Sequence, residues 1–509
     1  MLLADVVATS EAVASTRSRT AKIDALATLL ARSTADEIAT IVGFLVGQPR
    51  QGRIGIGWAT LAAVRDSAVS DANGEPLTVA DVDTAISTLQ TTTGKGSVGA
   101  RRDALTAVFG RATEVEADFV VRLFTGELRQ GALAGLMYDA IAKAAAVPAV
   151  LIRRATMFSG DLGETARIAR TGGAPALEEI ALVVLRPVLP MLAASAPNVE
   201  EALRQTGLAS VEWKLDGARI QVHRRGEDVR IYTRNLNDIT ERLPEVVRVA
   251  LEFPSEAFVL DGEAIGVDDD AKPHVFQDTM SRFGRDDASS HAMTMSAFFF
   301  DVLHADGEDV LDRPLRDRAH VLRRIVGDLR VPAIETDDAA LAAAFLEQAL
   351  TTGHEGVMVK ALDSTYDAGR RGGSWRKVKP VRTLDLVVLA AEWGHGRRRG
   401  WLSNLHLGAR DPETGDFVMV GKTFKGLTDE LLTWQTERLQ EIADREEGIT
   451  VYVRPELVVE IALDGVQAST RYAGGVALRF ARVRAYRPDK SPEDADTIAT
   501  VRALRAGAQ

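Results

Sequence analysis

The stretch Glu212-Trp-Lys214-Leu-Asp216-Gly217-Ala-Arg219 sets one ammonium between two carboxylates, with a guanidinium close behind. On a strand, alternate side chains share a face. Glu212, Lys214 and Asp216 then project together, while Val211, Trp213 and Leu215 turn toward a core. The Leu215-Asp216-Gly217 turn brings Arg219 back beside the lysine. An arbitrary E-x-K-x-D is most often a salt-bridged surface strand. The alternative is a nucleophilic lysine, which must be neutral to attack. With a reference pKa near 10.4, deprotonating it at pH 7.5 costs about 4 kcal/mol. Neighbouring cations and a metal lower that cost, whereas lone carboxylates raise it.

The rest of the chain supplies such company. Downstream come Tyr232-Thr-Arg234-Asn235, Leu260-Asp261-Gly-Glu263, Phe298-Phe-Phe300-Asp301, Glu355-Gly-Val-Met-Val-Lys360 and Trp375-Arg-Lys377-Val-Lys379. A last run carries Arg479, Arg482, Arg484, Arg487, Asp489 and Lys490. Glu263 and Glu355 are hard oxygen donors of the kind that suit Mg²⁺. Lys377 and Lys379 alternate on one strand face. Together these motifs resemble the nucleotidyltransferase motifs of the DNA ligase and mRNA-capping superfamily, in that family's order across residues 212–490. The helical first part and the segment from Pro187 to Ala193 further resemble ATP-dependent DNA ligases, the bacterial ligase B type among them.

The resemblance implies a ligase that uses ATP and Mg²⁺ to seal nicks in double-stranded DNA. Lys214 attacks the α-phosphate of ATP to give Lys-AMP and pyrophosphate. The AMP passes to the 5′-phosphate at the nick, and the 3′-hydroxyl displaces it. Glu212 reads the adenine amino group and Phe300 stacks on the base, the other two phenylalanines of the run being buried strand residues. Arg219 and Arg234 hold the AMP and the 5′-phosphate. Glu263 and Glu355 take the ribose and metal positions, and Lys377 and Lys379 reach the α-phosphate. Arg484, Arg487, Asp489 and Lys490 orient pyrophosphate and then swing away, about a hinge near Val381 to Asp385. A capping-type guanylyltransferase or an RNA ligase shares the lysine motif, but neither needs so long a helical region in front. An inactive DNA clamp, from another class, would be expected to lose the lysine or a metal carboxylate.

These residues need elements to position them. Residues 1–183 read as successive helices, an all-α DNA-binding domain. Thr34 and Glu37 have capping-box spacing before Ile38, Ile41, Val42 and Leu45, and Thr78 heads a helix with Val79, Val82, Ile86 and Leu89 on its apolar stripe. Further helices are expected at 114–125 and 132–146. Residues 184–382 alternate short Val/Ile/Phe-rich strands with helices near 238–251 and 338–351, an α+β adenylation domain. Residues 383–509 read as an all-β OB-fold barrel with one helix near 428–444. Gly94-Lys-Gly96-Ser-Val-Gly99 matches a dinucleotide-binding signature by letter, but a helix precedes it where that motif needs a strand. It reads as an inter-helix loop. Its amides could still approach a phosphate backbone closely, as could those of the glycine loops at 52–57 and 126–131, and as could Arg397 to Arg399 and the Gly369–Gly373 segment.

Composition bounds the answer without naming it. With 509 residues, 46% apolar and 26% charged, the chain suits several globular domains. No cysteine is present, which excludes disulfides, CxxC zinc modules and thiol nucleophiles. Neither a secretory leader nor a membrane span is evident, so a monomer in the cytoplasm, associated with the nucleoid, is expected. The net charge of -11 looks wrong for a DNA-binding protein. Its distribution does not: residues 360–425 hold 13 basic against 7 acidic side chains, and residues 471–490 hold 6 against 1. A basic C-terminal third on an acidic body can form a phosphate-binding face.

Overall fold

The N-terminal region is a stack of helices whose starts are written in capping chemistry. The computed structural model describes residues 1–52, 54–68, 75–94, 96–128, 134–267, 294–367 and 371–506. Thr34, Thr78 and Thr113 each close a capping box, with Glu37, Asp81 and Glu116 respectively, at the heads of Ala35–Leu45, Val79–Thr91 and Glu114–Thr125. Each box satisfies amides that the first turn would otherwise leave unpaired. The expected stripe residues Ile38, Ile41, Val42 and Leu45, and Val79, Val82, Ile86 and Leu89, are all buried in one shared core. Helix Ser97–Phe109 begins at Gly96, whose positive φ ends the loop after Val79–Thr91. The glycine run there is thus a helix-to-helix connection, as its context indicated. Among the described residues no single helix is long and apolar enough to cross a membrane. The bent pair Ala134–Ala145 and Ala149–Ser159 passes by length and composition only, and it contributes Met137, Ala140, Ile141 and Ile152 to the helical core.

The central region is built on two five-stranded sheets. Its strands are β1 (Leu192–Ala196), β2 (Ala209–Lys214), β3 (Ala218–Arg225), β4 (Asp228–Thr233), β5 (Ala257–Val267), β6 (Thr294–Ala305), β7 (Glu308–Asp309), β8 (Ala333–Thr336), β9 (Gly356–Ala361) and β10 (Arg371–Val378). One sheet runs β1-β10-β9-β2-β8 and the other β4-β3-β5-β6-β7. Consecutive strands β2 and β3 therefore belong to different sheets, and Leu215 to Gly217 bridge them. β1 and β8 are strands that periodicity did not reveal, being short and lying at sheet edges. The helix expected at 238–251 is a 3₁₀ turn, Thr240–Arg242, followed by Pro244–Glu252, because proline suits a first helical turn better than an interior. Helix Ala339–Thr351 lies as expected, with Asp338 capping it.

The C-terminal region is a seven-stranded antiparallel sheet wrapped on its own core, with helix Asp429–Glu441 as expected. The long strand Arg382–Trp393 pairs with Leu402–Arg410 on one side and with both Thr450–Val453 and Val458–Leu463 on the other. This bends the sheet in the manner of an OB barrel, although its ladder does not close into a ring. The basic run that begins at Arg479 spans the ends of two strands, Val476–Arg479 and Arg482–Tyr486, broken where Phe480 adopts a positive φ. A closing helix, Ile498–Ala506, was not anticipated.

Candidate active site

Lys214 ends β2 at the seam between the two central sheets. Its backbone pairs with Gly356, the first residue of β9, so register alone brings Glu355 alongside. The Lys214 ammonium donates to Glu355 Oε2, and the Lys379 ammonium, just beyond β10, donates to Glu355 Oε1 at 2.6 Å. Gly356 makes this approach possible. It has φ +144°, and a Cβ there would lie 2.2 Å from the Val378 carbonyl oxygen. Gly217 has a similar reason: a Cβ would meet the Ala264 carbonyl at 2.3 Å. The close passage lets the Gly217 amide donate to Glu263 Oε1 at 3.2 Å.

Electrostatics here oppose ready nucleophilicity. Burial pushes the Lys214 pKa down, but Glu355, Glu263 and Asp216 together hold it above the ordinary value. Burial likewise pushes Glu355 up, and the two lysines outweigh it and hold the carboxyl low. Glu263 is pushed up to about 7, chiefly by burial, with Lys214 and Arg219 pulling against it. Asp216 is pushed up to about 6 by burial and by Glu355. Of the two basic side chains expected to depress the lysine, Lys379 is tied to Glu355, and Lys377 lies half-buried opposite Met358, on the sheet face that carries Glu212 and Lys214.

Glu212 is only 3% exposed, so the strand face carrying Lys214 is a buried polar layer rather than a solvent face. Its oxygens accept from Ser210 Oγ at 2.9 Å and from Lys360 Nζ at 2.6 Å. Of the three phenylalanines, Phe299 is fully buried in the core, while Phe298 and Phe300 are half-buried on the opposite face. Arg219 pairs both its Nε and one terminal nitrogen with Asp261, at 3.0 and 2.6 Å, and donates to the Met191 carbonyl at 2.8 Å. Its guanidinium also lies 5.4 Å from the Phe300 ring centroid. Arg234, exposed in the turn after β4, borders a small cleft with Arg219, Thr233 and Asp261.

The part of the last motif from Arg484 to Lys490 is not assembled with this cluster. Arg487 bonds Asp489 at 2.8 and 2.5 Å and Asp385 at 3.3 Å, Lys490 also bonds Asp385, and Arg484 is exposed on its strand. Asp385 is itself anchored in the barrel by Asp496, which accepts from its amide at 2.8 Å. Asp385 therefore belongs to the barrel body, which leaves Lys379 to Val381 as the link between β10 and the long strand. Two barrel residues that motif reading gave no role do reach the site: Arg479 lies 3.6 Å from Asp216, and Asp464 lies 3.8 Å from Lys379. Tyr366 was also missed. Its hydroxyl donates to Asp261 at 2.6 Å. No local pattern marks Asp464 or Tyr366, whereas Lys360 stands in an alternation with Gly356 and Met358 that could have placed it on the site face.

The loops offered as phosphate contacts divide. Gly52, Gly55 and Gly57 border a cleft of about 2660 Å³ that also touches Gly126, Gly160, Asn235, His395 and Gly396, so all three regions meet there. Arg398 folds back, its guanidinium donating to the Phe424 carbonyl, and Arg399 is exposed. The Arg397 side chain, Arg53, residues 129–131 and Gly369 lie outside the described residues. Gly372 and Gly373 belong to β10 rather than to a loop tip.

Glu263 and Glu355 fit a divalent cation in one specific way. Among the described residues no group of three or more His, Asp or Glu side chains is arranged to enclose a metal. Two carboxylates that both bear on Lys214 are of the kind that suits Mg²⁺, which commonly takes one or two protein oxygens and completes its shell with phosphate and water.

A half-buried lysine at the seam of two sheets, held by a glutamate and near two further acids, is the site of a nucleotidyltransferase fold. Family models agree: the ATP dependent DNA ligase domain matches residues 190–379, the ATP dependent DNA ligase C terminal region residues 398–490, and the DNA ligase N terminus residues 60–142. A "Probable DNA ligase" of Saccharopolyspora erythraea is 55% identical over 506 residues, covering 99% of this chain and 98% of its own. One from Mycobacterium marinum is 53% identical over 516 residues, covering 99% and 100%. A solved structure named Pmar-Lig_PreS3 shares the fold with a TM-score of 0.62 at 18% identity, covering 95% of this chain and 99% of its own. The chain belongs to the ATP-dependent DNA ligase family.

Proposed function

We propose that Lys214 is the residue on which this ATP-dependent ligase carries AMP while it seals nicks in duplex DNA. The observation that supports it is the position of the Lys214 ammonium, held on Glu355 at the sheet seam beside Glu263 and within one buried layer with Glu212. Lys214 Nζ, once deprotonated, attacks the α-phosphorus; the bond to the pyrophosphate oxygen breaks and Lys-AMP remains. Glu212 and Phe300 receive the adenine, by hydrogen bonding and stacking. Arg219, already oriented by Asp261, and Arg234 hold phosphate, with Lys377 and Lys379 reaching the α-phosphate. Arg484, Arg487, Asp489 and Lys490 act on pyrophosphate when the barrel turns toward the site. Mg²⁺, held by Glu263 and Glu355, would supply positive charge beside the phosphates and compete with Lys214 for Glu355.

The same reading divides the chain at residues 1–183, 184–382 and 383–509, and assigns the helical part and the basic barrel to gripping DNA. Such a grip is sequence-independent and salt-sensitive. A monomer in the cytoplasm, on the nucleoid, of the ligase B type, is the setting this implies. The test is intact-protein mass after incubation with Mg²⁺ and ATP or GTP. Wild type gains one AMP from ATP alone, and Lys214→Ala gains nothing. A GTP adduct, or an unchanged adduct in Lys214→Ala, would overturn the assignment.

A further inference from the structure

Lys360 is an almost fully buried ammonium, 1% exposed. β9 pairs with β2 and β10 so that Lys360 stands opposite Ser210 on one side and Trp375 on the other. Alternation then puts it on the face that carries Glu212, Lys214 and Met358, while Val357 and Val359 point into the core behind. Its ammonium bonds Glu212 Oε2 at 2.6 Å and donates to the Phe300 carbonyl at 3.1 Å. It also lies 4.6 Å from the Phe300 ring centroid and 4.2 Å from that of Trp375. Both residues expected to meet the base are therefore held by one buried cation.

We propose that Lys360 is a positioning residue that sets selection of adenine, by holding the Glu212 carboxylate as an oriented acceptor and fixing the carbonyl and ring of Phe300. This rests on the reading that Glu212 and Phe300 meet the base. Ser210 and Lys360 each take one lone pair of the carboxylate, on different oxygens. The remaining lone pairs can accept only from a donor, such as the 6-amino group of adenine. The 6-carbonyl of guanine would face them lone pair to lone pair. A carboxylate buried without its cation is costly and either rotates away or takes up a proton. Either change removes the acceptor, even though Glu212 itself is intact.

The test uses the full chain and three triphosphates with Mg²⁺: ATP, GTP, and purine riboside triphosphate, which lacks the 6-amino group. Adduct formation is followed by intact mass, separating the apparent KM from the saturating rate. Wild type should prefer ATP over purine riboside triphosphate by about tenfold or more, the worth of one hydrogen bond to a charged acceptor. Lys360→Met should bring that ratio close to one, through KM, with the saturating rate changed little. Glu212→Leu, which removes every acceptor, should also bring the ratio close to one, and its double variant with Lys360→Met should show no further loss in the ratio, as residues acting through one contact do. If Lys360→Met slows all three nucleotides equally while the ratio stands, Lys360 is structural only and the proposal fails. If Glu212→Leu leaves the ratio unchanged, it is the reading of Glu212 as the base reader that fails. Should Lys360→Met not fold, Lys360→Gln, which keeps one donor, decides the matter: its ratio must fall, and an unchanged ratio overturns the proposal.

Discussion

Glu355 meets Lys214 twice: its backbone amide donates to the Lys214 carbonyl at 3.0 Å, and its carboxylate accepts from the Lys214 ammonium. The first contact is sheet register and the second is chemistry, so the strand pairing itself delivers the acid to the lysine across 141 residues. In this arrangement Lys214 is kept as an ammonium, the form that cannot attack phosphorus.

Chelating divalent metal with EDTA should therefore leave ATP binding measurable by calorimetry while abolishing the AMP adduct seen by intact mass. Nothing then competes with Lys214 for Glu355. An adduct formed at an unreduced rate in EDTA would mean that Glu355 releases the lysine without help.

Gly217→Ala should cut adduct formation at least a hundredfold and destabilise the protein by about 1–3 kcal/mol, the usual cost of forcing extra volume into a packed site. The added methyl must push against the Ala264 carbonyl, which lies 2.3 Å from its ideal position. That displaces the turn carrying Lys214 and the amide on Glu263. Adenylation rate and thermal unfolding, measured together, check it; a normal rate would show that the seam can widen freely.

His223 is fully buried, with Nδ1 accepting from the Leu185 amide at 3.0 Å and its other nitrogen 2.8 Å from Gln221 Oε1. Burial, and secondarily His304, push its pKa down to about 3. In the unfolded chain it titrates near 6.5. Protons thus bind the unfolded state preferentially between these values, and the stability His223 allows at neutral pH is lost as pH falls below about 6.5. From pH 7 to pH 5 that loss is about 2 kcal/mol. Thermal midpoints at the two pH values should differ less in His223→Gln than in wild type, and an equal difference would clear His223 of the effect.

The contacts that tie the barrel to the lysine cluster, Arg479 to Asp216 and Lys379 to Asp464, are 3.6 and 3.8 Å long. Ion pairs of this kind contribute ~0–1 kcal/mol and weaken with salt. Raising NaCl from 50 to 500 mM, or replacing Arg479 and Asp464 by alanine, should increase the radius of gyration in X-ray scattering without lowering the thermal midpoint. A radius unmoved by both treatments would place the hold on the barrel elsewhere.

Sequence alone determined what depends on local order. Threonine caps three residues ahead of an acid started the helices at Thr34 and Thr78, and period-two alternation set β2 with Glu212 and Lys214 on one side. The order of the motifs led to the ligase family. Tertiary structure decided what depends on which strands become neighbours. Pairing of β9 with β2 turned Glu212 from a projecting carboxylate into a buried one held by Lys360, and it set Glu355 on Lys214. It also gave Lys379 to Glu355, and left Arg487 and Lys490 on Asp385 rather than at the lysine. Local pattern reports a side chain's face and period; its charge partner, and so its protonation and its chemistry, comes from residues a hundred or more positions away.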